Sequence, residues 1–322
     1  MLFPGCYNPR PPFLRGNFIY LMRCLKSDAI VLLEKDMNIF LNKALVPESD
    51  AVVSVYDHGF LYGDGIYETM RAYNGVVFML EKHLERLCRS ASLTKLSIPE
   101  TGFITDAVCR TIEANKLSDA YVRVTVSRGK GPIGLDPDLC KEPTFVVVAE
   151  HFREYPEHLY SNGVKLVIAQ TRRNLVSAIS PKIKSLNFLN NIFAKMEAKE
   201  RGAYEAIMLN AEGMIAEGTV CNIFFVKDNV LCTPAAEVGV LDGITRELVI
   251  SLAKKSGLRV SEDRFYPDDL FSASEVFFTN TTSEIMPVSQ VELITYKPGE
   301  VAKSLHALYK EEVSSYIRAQ RK

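Results

Sequence analysis

The sequence predicts an α+β chain of two domains. Its 322 residues exceed the size at which a single core stops growing. Short apolar runs at strand spacing and stretches of helical periodicity occur together in both halves. A polar stretch from Glu150 to Gly163, interrupted by Pro156, suits a connector between them. The expected division is an extension over residues 1–36, a small domain over 37–155 and a larger one over 156–322.

In chain order, Met37-Asn-Ile-Phe-Leu-Asn-Lys-Ala-Leu-Val46 reads as two strands joined by a turn at Asn42 and Lys43. Residues before Met37 carry no motif and are expected to be an extension or the product of an upstream start codon. Ala51 to Val55 and Val76 to Leu80 crowd apolar residues at strand spacing, separated by the Gly-rich Gly59 to Gly65 and by Asn74-Gly75, a strong hairpin signal. Leu84, Leu87 and Ala91 give Glu81 to Leu93 a helical period. Ala120 to Ser127 alternates as a strand, Pro143 to Glu150 is a β-branched run, and Arg128 to Gly134 between them is a loop. Further strands are expected at Val164 to Ala169, Glu205 to Asn210, Asn222 to Val226, Val260 to Phe265 and Glu275 to Thr279. Helices are expected over Leu189 to Arg201 and Thr245 to Ser256.

Composition narrows the partners. With 38 basic and 39 acidic residues there is no electrostatic case for nucleic acid or an anionic membrane. No apolar run approaches the ~20 residues of a membrane span. Seven cysteines without a C-x-x-C pair or clustering with histidine suggest neither a metal site nor disulfides, and point to reduced thiols in the cytoplasm. A small-molecule substrate is the remaining expectation.

Two stretches carry chemistry: Pro181-Lys-Ile-Lys-Ser-Leu-Asn187 and Ala216-Glu-Gly-Thr-Val-Cys-Asn222. A desolvated lysine captures an aldehyde, and a carboxylate beside a pyridine nitrogen keeps that ring protonated, which is what pyridoxal phosphate chemistry asks of a protein. Glu217 is the carboxylate. Lys182 and Lys184 would share a face if the segment were a strand, so spacing does not choose between them. Gly243-Ile-Thr-Arg246 ahead of a helical pattern would present backbone N–H groups to a phosphate.

Together with Tyr56-Asp-His-Gly-Phe-Leu-Tyr-Gly-Asp-Gly65 and Gly243-Ile-Thr-Arg-Glu247, these motifs resemble the class IV (fold type IV) pyridoxal-phosphate-dependent aminotransferases from about Met37 to Val291. The family holds branched-chain aminotransferases, D-amino acid aminotransferases and aminodeoxychorismate lyases. The resemblance implies a two-domain fold with pyridoxal 5′-phosphate at the domain interface, and a homodimer or higher homo-oligomer whose partner loop helps close the site. It selects Lys184 as the Schiff-base lysine and Glu217 as the partner of the ring nitrogen. It assigns Arg86, Ile244, Thr245 and Thr281 to the phosphate, with Arg86 as a bidentate clamp. Substrate contacts fall to Tyr62, Tyr67, Tyr121, Arg123, Thr282 and Ser283. Tyr121-Val-Arg123 matches the pair that manages substrate carboxylates in branched-chain enzymes, and period two puts both on one face. Transfer from branched-chain L-amino acids to 2-oxoglutarate is therefore expected, with Arg123 and Tyr62 meeting the γ-carboxylate at the rim of an apolar pocket. Thr69, Thr282-Ser283 and Phe188 depart from the branched-chain pattern, where glycine, Ala-Ala and tyrosine are usual. Tyr67-Glu-Thr-Met70 is closer to the D-amino acid enzymes and the lyases, which form the alternative.

Overall fold

The computed structural model describes residues 37–321, and the reading of residues 1–36 as an extension lies outside them. In the first half, β1 (Asn38–Leu41), β2 (Ala44–Pro47), α1 (His58–Tyr62), β3 (Gly65–Tyr73), β4 (Val76–Val77), α2 (Leu80–Thr94), α3 (Thr101–Ala114), β5 (Ala120–Ser127) and β6 (Thr144–His151) follow one another. The strands form one antiparallel sheet in the order β2-β1-β6-β5-β3-β4. Asn42 at φ 56° makes the β1–β2 turn. Asn74 and Gly75, at φ 52° and 78°, form the left-handed pair that matches the twist of the β3–β4 hairpin.

Strand β5 shows how the sheet serves two surfaces. Ala120, Val122, Val124 and Val126 are buried in a core with Leu84 and Leu87 of α2 and Ile104 and Val108 of α3. Tyr121, Arg123 and Thr125 alternate onto the opposite, half-buried face. Beside it, β3 is buried along nearly its whole length although it carries Glu68 and Arg71. A charge so placed must find a partner or neutralise, and both do, as described below.

The second half contains α4 (Glu157–Asn162), β7 (Val164–Ile168), α5 (Leu189–Glu200), β8 (Glu205–Leu209), β9 (Ile215–Gly218), β10 (Asn222–Lys227), β11 (Val230–Pro234), α6 (Ile244–Lys255), β12 (Arg259–Asp263), α7 (Pro267–Phe271), β13 (Glu275–Asn280), β14 (Glu284–Val291), β15 (Ile294–Thr295) and α8 (Glu300–Gln320). Its strands run β12-β11-β10-β13-β14-β7-β8-β9, with β15 on β14. Helices α6 and α8 pack on Phe224, Phe277 and Ile285 in a core that also takes Tyr73 and Phe78 from the first half.

Two expectations need correction, and several elements lie where no reading was made. Ala51 to Val55 is not a strand: Val52, Val53 and Val55 are exposed. Only Val76–Val77 of the run to Leu80 is strand, because Met79 turns left-handed at φ 54° and starts α2. The long strand between those runs is β3, whose charged residues hid its period. Helices α3 and α8 were not anticipated.

Candidate active site

The side chains come together around a cavity of about 310 Å³ between the half-buried face of β5 and the edges of β9, β13 and α6. Tyr67, Arg86, Tyr121, Arg123, Lys184, Glu217, Ile244, Thr245, Thr281 and Thr282 all line it. Tyr62 and Ser283 do not.

Lys184 lies on an irregular segment pinned to the first sheet. Its backbone N–H donates to Ser90 Oγ (3.2 Å), its carbonyl accepts from Tyr67 N (3.0 Å), and Ser185 bridges to Ile66. Because the segment is not a strand, the two lysines diverge: Lys182 is exposed, while Lys184 Nζ donates to Tyr67 Oη (3.2 Å) above that ring. Burial, helped by the neighbouring Arg86 charge, pulls the Lys184 ammonium down to about 8 from its usual 10.5, against the opposing pull of Glu68 and Glu217. Tyr67 is kept protonated by burial and lies between the Arg123 guanidinium, 3.9 Å from its ring centre, and the edge of Phe188.

Glu217 stands at the end of β9, not in an exposed turn. Its Oε2 accepts from Leu241 N (2.9 Å) and Asn222 Nδ2 (3.3 Å). Its Oε1 pairs with Arg173 Nη2 at 2.6 Å. Arg173 gave no signal in sequence, being the second of two arginines in a loop; its Nε is buried without a partner among the described residues.

Arg86 faces the cavity but its fork is already engaged. Nε and Nη2 donate to Glu68 Oε1 and Oε2 at 2.7 and 2.8 Å, and Nη1 to Asp242 O at 3.0 Å. The bidentate partner is thus Glu68, not an incoming phosphate, and Arg86 has two N–H bonds left to offer. Glu68 also meets His83 Nδ1 at 2.8 Å. Burial would raise its carboxyl, but Arg86 and His83 outweigh that and hold it far below the ordinary carboxylate range. Sequence reasoning missed Glu68; a glutamate three residues before an arginine inside an apolar strand was the available signal.

Replacing Arg86 by alanine would strand that buried carboxylate, a change that typically destabilises by 3–5 kcal/mol, or roughly 6–20 °C in thermal midpoint for a chain of this order. Without its cation Glu68 titrates nearer neutrality, so the deficit should narrow as pH falls towards 5. Thermal melts at pH 7.5 and 5 check this, and an unchanged midpoint at both would remove Arg86 from any structural role. Cofactor affinity should fall in the same variant.

The α6 N-terminus supplies anion-binding geometry. Gly243 precedes it, and a Cβ there would lie 1.9 Å from Asn222 Oδ1, so only glycine fits beside Asn222. The amides of Ile244 and Thr245 have no acceptor among the described residues, as the first turn of a helix requires. Thr279 Oγ1, also lining the cavity, is buried without a partner. Orphan donors at one end of a cavity, with Lys184 and Glu217 along its walls, fit a phosphate-bearing pyridine aldehyde.

Tyr62 belongs elsewhere. Gly63 ends α1 at φ 69°, and Tyr62 Oη accepts from Gly134 N (3.1 Å) while His58 packs edge-on against its ring. Within one chain it therefore does not reach the rim of the pocket. Ser283 is turned inward, its Oγ donating to Asn280 Oδ1 (2.8 Å).

The family model described as amino-transferase class IV matches residues 65–291. A protein of Methanocaldococcus jannaschii named "Putative branched-chain-amino-acid aminotransferase" is 44% identical over 279 residues, covering 85% of this chain and 96% of the relative. The aminodeoxychorismate lyase of Bacillus subtilis is 35% identical over 286 residues, covering 87% and 96%, and D-alanine aminotransferases also match. Among solved structures, the branched-chain aminotransferase of the thermophilic archaeon Thermoproteus uzoniensis with norvaline superposes with a TM-score of 0.82 at 35% identity, covering 87% of this chain and 95% of that one.

Proposed function

Because this chain belongs to the class IV aminotransferases, enzymes that work with pyridoxal 5′-phosphate, we propose that it transfers the amino group of branched-chain L-amino acids to 2-oxoglutarate. One observation carries this reading: Tyr121 and Arg123 of β5 line the same cavity as Lys184, with Phe188, Ile179, Ile183 and Val220 adding apolar wall. Arg123 supplies a cation for a γ-carboxylate and the wall takes an aliphatic side chain. Domains 37–155 and 156–322 would flank the cofactor.

Bound here, pyridoxal phosphate supplies an aldehyde and a ring that stores the electron pair left when a substrate Cα loses its proton. Ile244, Thr245, Thr281 and the free N–H groups of Arg86 hold the phosphate. Glu217, oriented by Leu241 N and Asn222 and charge-balanced by Arg173, holds a proton on the ring nitrogen. Lys184 Nζ would take the Cα proton and deliver it to the cofactor's former aldehyde carbon, and its lowered basicity keeps a share of the amine neutral near pH 8.

A second reading, aminodeoxychorismate cleavage, is favoured by the hydroxyl of Thr69 on the cavity wall, which an aliphatic substrate leaves unpaired. Purified protein incubated separately with L-leucine, D-alanine and aminodeoxychorismate, each with its co-substrate, separates the three activities of the family. Leucine turnover is expected; its absence beside either of the others would move the chain to that branch.

We read the assembly as a cytoplasmic homodimer. Among the described residues no helix is long and apolar enough to cross a membrane. Leu189, Ile192, Phe193 and Met196 expose an apolar stripe along α5, with Val220, Phe60, Ile133 and Leu135 also exposed, the kind of surface on which another protein chain packs. Light scattering that returned the mass of one chain would overturn this.

A further inference from the structure

Glu284 opens β14 directly after the turn Thr281-Thr282-Ser283, and nothing in the chemistry above uses it. It is 1% exposed and lies in the left-handed region at φ 57°, a conformation that a non-glycine residue keeps only when its surroundings impose it. What imposes it here is a set of partners from two elements. From β3, Arg71 Nη1 donates at 2.9 Å and Tyr73 Oη at 2.7 Å. From α8, Lys310 Nζ donates at 2.7 Å and His306 Nε2 lies 2.7 Å away. Burial would raise this carboxyl, but His306, Lys310 and Tyr73 outweigh it and lower it to about 2, so it stays ionised.

The residues just before it are fixed from the other side. Asn280 Oδ1 accepts from Thr282 N (3.0 Å), Ser283 N (2.7 Å) and both of their hydroxyls. Tyr160 Oη donates to Ser283 O at 3.3 Å. The turn is thus tied at Asn280 and at Glu284, while Thr281 and Thr282 line the cavity. We propose that Glu284 is a positioning residue, whose clamp between β3 and the C-terminal helix α8 sets the turn so that Thr281 meets the phosphate end of the cofactor. This rests on the reading of Thr281 as a phosphate ligand.

The test compares pyridoxal phosphate with pyridoxal, which keeps the ring and aldehyde but lacks the phosphate, each titrated into the full chain freed of cofactor. Glu284→Gln and Lys310→Met should each raise the dissociation constant for pyridoxal phosphate by about tenfold, the scale of one weakened charged contact, and leave that for pyridoxal within about twofold. Lys310 is half-exposed, so its variant tests the clamp even if Glu284→Gln folds poorly. Glu284→Gly accepts the left-handed backbone yet lacks the carboxylate, and should show the same selective loss; wild-type affinity in that variant would overturn the clamp. Equal losses for both ligands would mean a role in stability alone, and would also overturn it. Thr281→Ala separates the two levels of the argument. If it weakens only the phosphorylated ligand while Glu284→Gln and Lys310→Met change nothing, the clamp fails and the phosphate reading stands; if it has no selective effect, that reading fails and the clamp falls with it.

Discussion

Lys184→Ala should lose at least about a thousandfold in turnover, because the side chain is proposed both to capture the cofactor and to move the Cα proton, and proton transfer alone contributes 10²–10⁴-fold. The visible absorbance of the cofactor-loaded protein should disappear with it. Lys182→Ala is the internal control: Lys182 is exposed and outside the cavity, so turnover should stay within about twofold of wild type. A pH series strengthens the test. The amine must be neutral to attack an aldehyde, and burial with Arg86 nearby has lowered its titration to about 8. The rate at which cofactor-free protein captures the aldehyde should therefore climb with pH and level off near 8, where an ordinary lysine would keep climbing towards 10.5. At neutral pH the neutral fraction is larger than that of such a lysine by roughly 300-fold. Retained absorbance in Lys184→Ala together with its loss in Lys182→Ala would exchange the two assignments.

Much of this cavity was legible because local rules and tertiary placement agree. The alternation of β5 predicted that Tyr121 and Arg123 share a face, and they line one cavity. Asn74-Gly75 announced its hairpin because both residues tolerate positive φ. Legibility failed where long-range pairing overrides local pattern. Glu68 and Arg71 break the apolar run of β3, yet the strand forms because their partners arrive from α2 and β14. No window around Glu68 contains His83, and none around Glu217 contains Arg173. Val52, Val53 and Val55 failed in the other direction: they read as a strand by composition but sit exposed in a loop, and apolar content does not distinguish burial in the core from burial against a second molecule.

The same gap between type and placement makes Arg123→Ala the sharpest test of substrate. Arg123 is held from behind by two contacts: its Nε donates to Thr125 Oγ1 at 3.2 Å, and the guanidinium lies over the Tyr67 ring. Its terminal Nη1 and Nη2 donate to nothing among the described residues, so the part of the fork that best grips a carboxylate faces the cavity. If it binds the γ-carboxylate of glutamate and 2-oxoglutarate, removing it should reduce kcat/KM for those two by about 2–5 kcal/mol, roughly 30- to 5000-fold. Leucine offers no distal charge, so its half-reaction should change by less than about fivefold, reflecting only the lost support of Tyr67. Arg123→Lys keeps a cation over the ring but not the fork, and should recover leucine turnover fully and glutamate turnover in part. Single-turnover measurements with each amino acid separate the two half-reactions. Equal losses for leucine and glutamate would place Arg123 at the α-carboxylate that every substrate shares, and the γ-carboxylate would then need another cation, for which Arg173 is the one on this cavity whose Nε has no partner.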